Sequence, residues 1–259
     1  MKNLTYDNEK NILEDFREST DKVLPIPLTE ELDRAFILIK DEKEWSNWID
    51  SSSKSAPPPD FYNEKEKIMM ELMRFDDQQT IDGKRHATRS KEAKVRQKIR
   101  GSGILNQVPN VRRIMINVNS DLSTNDDHNF NRYRGNFNRT VNKHAKKVST
   151  YKENHREYSL IFFILDETSG MYFENNSSSE VEKGKTYLSR AHCHWLDDEM
   201  VKTIKSCGAD FFVWYKPHNS FETPFDVNDD FPKIVIYDID KMEFDTIKYD
   251  ESKMMSSEI

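Results

Sequence analysis

The stretch that most constrains this chain is Leu160 to Leu165, LIFFIL, six consecutive apolar residues halted by Asp166 and Glu167. A short apolar run with no polar interruption suits a strand buried on both faces, and such strands belong to sheets covered by helices on either side. Ile68 to Phe75 (IMMELMRF), Val111 to Val118 (VRRIMINV), Phe211 to Tyr215 and Ile234 to Tyr237 read as further strands. Between the strands lie helical patterns. Thr29 offers an N-cap before Glu30 and Glu31, with Leu32, Phe36 and Ile39 at helical spacing. Asp41 and Glu44 resemble a capping box ahead of Trp45, Trp48 and Ile49. Phe130, Tyr133, Phe137, Val141, Ala145 and Val148 step by three or four into one apolar stripe, and Arg132, Arg139, Lys143, Lys146 and Lys147 lie off it. Asp197 can cap a short helix to Lys205, closed by Gly208. Strands alternating with helices predict an α/β fold, a mixed central sheet flanked by helices.

Organisation follows from the gaps between these elements. Residues 1–27 are polar, end in Leu24-Pro25-Ile26-Pro27, and read as an N-terminal arm. Residues 28–249 contain no internal repeat and no linker, so one domain is expected there, followed by a flexible acidic tail over 250–259. Fifteen Phe, ten Tyr and four Trp supply a core despite 33% charged residues. No run of about 20 apolar residues is present to span a bilayer, and the first residues lack the apolar centre of a secretory signal. Cys193 and Cys207 cannot build a disulfide framework, so reduced thiols in a cytoplasmic protein are expected. The net charge of −7 argues against coating nucleic acid by charge alone. Yet Lys84 through Arg156 holds 18 basic and 5 acidic side chains, leaving a deeply acidic remainder. That asymmetry fits either a nucleic-acid face or a solvated helix surface beside acidic neighbours. A nucleic-acid face would draw on Lys84, Arg85, Arg89, Lys94 and Lys98 from a basic helix near 86–100, and on Arg139 and Lys143.

The segment PPPDFYNEKEKIMMELMR, with Pro59-Asp60 and then Glu71-Leu72-Met73, resembles the core signature of the PD-(D/E)XK nuclease superfamily over about twenty residues. The resemblance implies a restriction-endonuclease-like αβββαβ core and metal-dependent hydrolysis of phosphodiesters in DNA or RNA. It implies Asp60 and Glu71 as Mg²⁺ ligands, two carboxylates on adjacent strands leaving several metal positions to water. Glu31, on the helix that precedes them, would assist. The first strand of that core is not evident in the sequence. The family places a lysine where this chain has Met73, and a thioether cannot position or activate water as an amine does. Lys67, which shares the strand parity of Glu71, is the stand-in. The rival reading is a non-catalytic binding or regulatory protein on the same scaffold, and Met73 favours it.

Other features are weaker. His192-Cys193-His194 with Cys207 lacks the paired spacing of zinc sites, so surface histidines and buried thiols are expected. Asp166-Glu167 stands where α/β sheets place functional groups, and equally where strands simply reach solvent. No phosphate-cradling glycine loop occurs among the seven glycines.

Overall fold

The computed structural model describes residues 9–52, 59–77, 80–81, 84–85, 98, 129–168, 170–174, 190–217 and 231–256. The expected helix near 86–100, apart from Lys98, and the expected strand at 111–118 lie outside them.

Seven strands form the central sheet: β1 (Val23–Ile26), β2 (Ile49–Asp50), β3 (Phe61–Asn63), β4 (Ile68–Phe75), β7 (Ser159–Asp166), β10 (Phe211–Tyr215) and β11 (Ile234–Asp238). Their order is β1-β11-β10-β7-β4-β3-β2. β2, β3 and β4 make an antiparallel meander, β4, β7 and β10 run parallel, β11 opposes β10, and β1 runs parallel to β11. Among the described residues two small sheets accompany the central one. β5 (Thr80–Ile81) pairs with β6 (Lys84–Arg85), and β8 (Tyr172–Glu174) lies between β9 (Arg190–Ala191) and β12 (Met254–Ser256).

The two-residue period of these strands divides the core into two layers. Met69, Met73, Leu160, Phe162, Ile164, Phe212, Trp214 and Val235 face one layer, and Met70, Leu72, Ile161, Phe163, Leu165, Val213 and Ile236 the other. The first layer receives α4 (Phe130–Ala145), α5 (Val148–Asn154) and α6 (Asp198–Lys205); the second receives α1 (Glu9–Glu18) and α2 (Glu30–Lys40). Every residue of LIFFIL is fully buried. At ~2 kcal/mol for a buried large aliphatic or aromatic side chain, β7 anchors both layers. The short helix α3 (Glu42–Trp45) starts on Asp41, whose carboxylate accepts the Lys43 and Glu44 amides; Ile49, expected to continue a helix, begins β2 instead.

Two expectations about the ends of the chain are corrected. Residues 9–26 of the expected N-terminal arm are part of the domain: Ile12, Leu13 and Phe16 of α1 are buried, and β1 is the edge strand of the sheet. Pro25 has no amide hydrogen to donate, and an edge strand is where a sheet tolerates it. The acidic tail is ordered through β12, where Ser256 pairs with Tyr172. Among the described residues no helix is long and apolar enough to cross a membrane.

In chain order the described elements run α2, α3, the meander β2-β3-β4, the β5–β6 ribbon, α4, α5 and then β7, which is parallel to β4. The first strand of the meander is the two-residue β2.

Candidate acidic site on the meander

The meander brings the two carboxylates together. Phe61 pairs with Met70, so the antiparallel register sets Asp60 opposite Glu71 just where β3 begins. The ladder cannot continue beyond that point, and the Asp60 side chain ends it: Leu72 donates its backbone N–H to Asp60 Oδ2 at 2.7 Å. The backbone of Asp60 is held from the other side, where the Ser51 amide donates to its carbonyl at 2.8 Å. Past this junction β4 stays paired with β7 but is unpaired on its β3 side, leaving a notch there.

Glu71 points from β4 toward the helical layer and is buried, with 2% of its surface exposed. The junction of α4 and α5 covers it. His144 Nδ1 lies 2.6 Å from Glu71 Oε1, Lys147 Nζ reaches the same oxygen at 3.4 Å, and the Tyr151 hydroxyl also hydrogen-bonds the carboxylate. Burial pushes the Glu71 carboxyl up, but the bonds from His144 and Tyr151 and the charge of Lys147 hold it below the ordinary value. Its second oxygen, Oε2, is buried with no hydrogen-bond partner among the described residues.

Asp60 responds in the opposite sense. Burial, then the charge of Glu71, then that of Glu9 push its carboxyl up to about 8, against the bond from Leu72 and the charge of Lys147. Glu9, in the first turn of α1, is itself raised by burial and by Glu71, and it hydrogen-bonds Ser52. Three carboxylates therefore share one electrostatic environment. A site with excess buried negative charge and an oxygen lacking a donor takes up a proton or a cation.

The residues fit a divalent cation of the magnesium type. Such an ion uses one or two carboxylates and keeps several waters. Glu71 Oε2 and the Asp60 carboxylate are the oxygens that could hold it. Among the described residues no three acidic, histidine or cysteine groups form a closed metal cage, so water and substrate oxygens would complete the shell.

The other expected site residues are placed elsewhere or only in part. Lys67 does not reach the acids; it pairs with Glu157 in an exposed ion pair. It occupies the β3–β4 turn with φ +50°, so the alternation of β4 does not extend to it. Glu31 is exposed on α2, whose inner residues pack on the opposite layer from His144 and Lys147. The start of α2 is tied to the far side of the sheet, where Thr29 donates to Asp238 Oδ2 at the end of β11. β11 lies three strands from β4, ~14 Å away at ordinary strand spacing. Met73, at the family's lysine position, is 1% exposed in the core. Of the expected nucleic-acid contacts, Arg139 and Lys143 are exposed on α4, and Lys98 is exposed. Lys84 and Arg85 lie on β6, of whose side chains nothing is described, and Arg89 and Lys94 lie outside the described residues.

Nothing in the sequence linked Glu9, His144, Lys147 or Tyr151 to the acidic pair. The last three recur at helical spacing, which hints at a shared face but names no partner for it. The histidines next to Cys193 are also corrected: His192 and His194 are buried, and His192 Nε2 contacts Asp197 Oδ2 at 2.8 Å. Cys207 is buried, as expected, and Cys193 half-buried.

No protein-family model, no curated protein and no solved structure matches this chain.

Proposed function

We propose that this chain is a metal-dependent nuclease-like protein acting on phosphodiesters, with Asp60 and Glu71 as the metal-holding carboxylates. The observation that carries the reading is the buried, unpartnered Oε2 of Glu71 beside an Asp60 carboxyl pushed up to about 8. The order helix, meander, helix, parallel strand around these acids supports it, because the PD-(D/E)XK core that the Asp60–Glu71 segment resembles has that order.

A bound Mg²⁺ would polarise the phosphate and lower the pKa of a coordinated water. The protein's own groups divide the remaining work. His144 and Tyr151 fix the orientation of Glu71. Lys147, half-exposed at the mouth, supplies the positive charge that Met73 cannot and is placed to meet a phosphate oxygen. Arg139, Lys143 and Lys146 are exposed on the same stretch of chain and would follow the nucleic-acid backbone. A non-catalytic nucleic-acid binder is the second reading, favoured by the buried Met73 in place of a lysine.

Cleavage of labelled single- and double-stranded DNA and RNA with Mg²⁺ or Mn²⁺ tests the proposal. The wild type should cut at least one substrate. Glu71→Gln and Asp60→Asn should each lose about a hundredfold or more in rate, the scale of removing a group that stabilises transition-state charge. Metal-independent cutting, or cutting unchanged in both variants, would refute the site. Binding without cutting by all three proteins would leave the second reading.

A further inference from the structure

A second polar cluster lies at the C-terminal ends of β7 and β10, where parallel strands of open α/β sheets place ligands. Asp166, the last residue of β7, is fully buried and satisfied: Tyr133 donates its hydroxyl to Oδ2 at 2.8 Å, and Thr168 donates its amide and hydroxyl to Oδ1 at 3.0 and 2.6 Å. Lys216, the residue after β10, is 6% exposed. Its ammonium donates to Thr168 Oγ1 at 2.8 Å and to the Gly170 carbonyl at 2.9 Å, both neutral oxygens, and stays 3.7 Å from Asp166 Oδ2. The charge of Lys216 is thus only partly neutralised by a carboxylate.

His194 completes the cluster. Its ring lies flat on Trp214, centroids 3.9 Å apart at 15°, and it is 5% exposed. Its Nε2 is buried without a hydrogen-bond partner. A buried ring nitrogen left unpaired has lost its water without replacement, so a ligand that pairs it is favoured. His194, Lys216, Tyr133 and His192 line a cavity of about 20 Å³, with the half-buried rings of Trp195 and Phe231, 5.8 Å apart, also on its wall. At roughly 10–15 Å³ for one water, that space admits one or two oxygen-sized groups and not a phosphate. After burial, the neighbouring His192 and Lys216 hold His194 well below the ordinary histidine range.

We propose that this cavity binds the carboxylate of a small aromatic or apolar acid, its oxygens meeting His194 Nε2 and the Lys216 ammonium and its body resting against Trp195 and Phe231. The site shares no residue with the acidic notch and stands whether or not the chain cuts nucleic acid.

Titrating the intact wild-type chain with benzoate and with benzyl alcohol tests this, read by the ring ¹⁵N resonances of His194 and by tryptophan fluorescence. Benzoate should shift the His194 Nε2 resonance saturably, with an affinity about tenfold or more above that of the alcohol. His194→Phe, which keeps a ring on Trp214, should weaken benzoate by a similar factor while the fold, checked by circular dichroism, is retained. Equal affinity for acid and alcohol, binding indifferent to His194→Phe, or a silent His194 resonance in the wild type would each overturn the proposal. The last outcome would leave the cavity to a structural water.

Discussion

Glu71 and Asp166 stand on neighbouring parallel strands, face the same layer and are covered by the same helix, yet they are treated in opposite ways. Tyr133 of α4 bonds Asp166, and His144, eleven residues along and ~16 Å further down the helix axis, bonds Glu71. Both oxygens of Asp166 receive donors, and a lysine lies beside it. Glu71 has donors on one oxygen only, and its nearest charged neighbour on the meander is another acid. A fully satisfied buried carboxylate rigidifies the fold, whereas an unsatisfied one beside a like charge lowers stability and retains the capacity to bind. The difference separates a structural acid from the one we propose holds a metal.

The largest effect expected from breaking this comparison is on stability at Asp166. Asp166→Ala leaves Lys216 buried without its counter-charge and Tyr133 without its acceptor, at a cost of about 3–5 kcal/mol. Glu71→Gln should cost less, about 1–2 kcal/mol, because the amide keeps an acceptor for His144 and relieves Asp60 and Glu9 while giving up the charge that His144 and Lys147 favour. Urea unfolding of the two variants measures both, and an Asp166→Ala protein as stable as Glu71→Gln would erase the distinction.

Met73 comes next. Met73→Lys restores the residue type of the nuclease signature but places an amine in the core against α4. We expect a loss of about 2–4 kcal/mol and no gain in cleavage. Lys147→Met, by contrast, should fold normally and cut poorly. A faster Met73→Lys enzyme would show that the core can admit the lysine and that Lys147 does not replace it.

The two clusters also respond oppositely to pH. The Asp60 carboxyl is raised from its ordinary 3.8 to about 8, so the folded state holds a proton that the unfolded state releases. Its contribution to stability is complete below about pH 4 and is lost as pH rises toward 8. His192 and His194 are lowered from 6.5, chiefly by burial, so the unfolded state takes protons that the folded state refuses. Their contribution is present above about pH 6.5 and is lost as pH falls. Thermal unfolding across pH 4–9 should therefore show Asp60→Asn gaining on the wild type toward pH 8, and His194→Phe gaining toward pH 5. Adding Mg²⁺ at pH 8 should raise the wild-type melting temperature and leave Glu71→Gln unmoved. A wild type indifferent to Mg²⁺ would mean that the carboxylates settle for a proton.

How far these features could be read in the sequence depends on how local their causes are. β4, β7, β10 and β11 announce themselves through unbroken apolar runs, and α4 through its stripe of Phe130, Tyr133, Phe137 and Val141. The edge strand β1 and the helix α1 do not: VLPI contains a proline, and three buried apolar residues in a polar decapeptide look like an arm until the second layer of the core is known. The Asp60–Glu71 pair was legible because a hairpin fixes its register within a dozen residues. The groups that tune it come from His144, Lys147 and Tyr151, more than seventy positions later, and no local pattern connects them. Glu31 failed as a candidate for the same reason in reverse, since a helix's charge pattern does not say which side of the sheet it will cover.

Lys67 yields the smallest expected effect. Parity along β4 would set it on the same side as Glu71, but parity holds only while the backbone stays extended. Lys67 lies at φ +50° in the turn, and its ammonium is engaged by Glu157 in solvent. Exposed pairs of this kind are screened by water and salt and contribute little. Lys67→Ala should therefore leave both the cleavage rate and its dependence on Mg²⁺ unchanged, with a melting temperature indistinguishable from wild type. Lys147→Met in the same assay provides the contrast. If Lys67→Ala instead abolished cutting while Lys147→Met did not, the turn would have to rearrange when substrate binds, and the amine serving Glu71 would come from the meander itself.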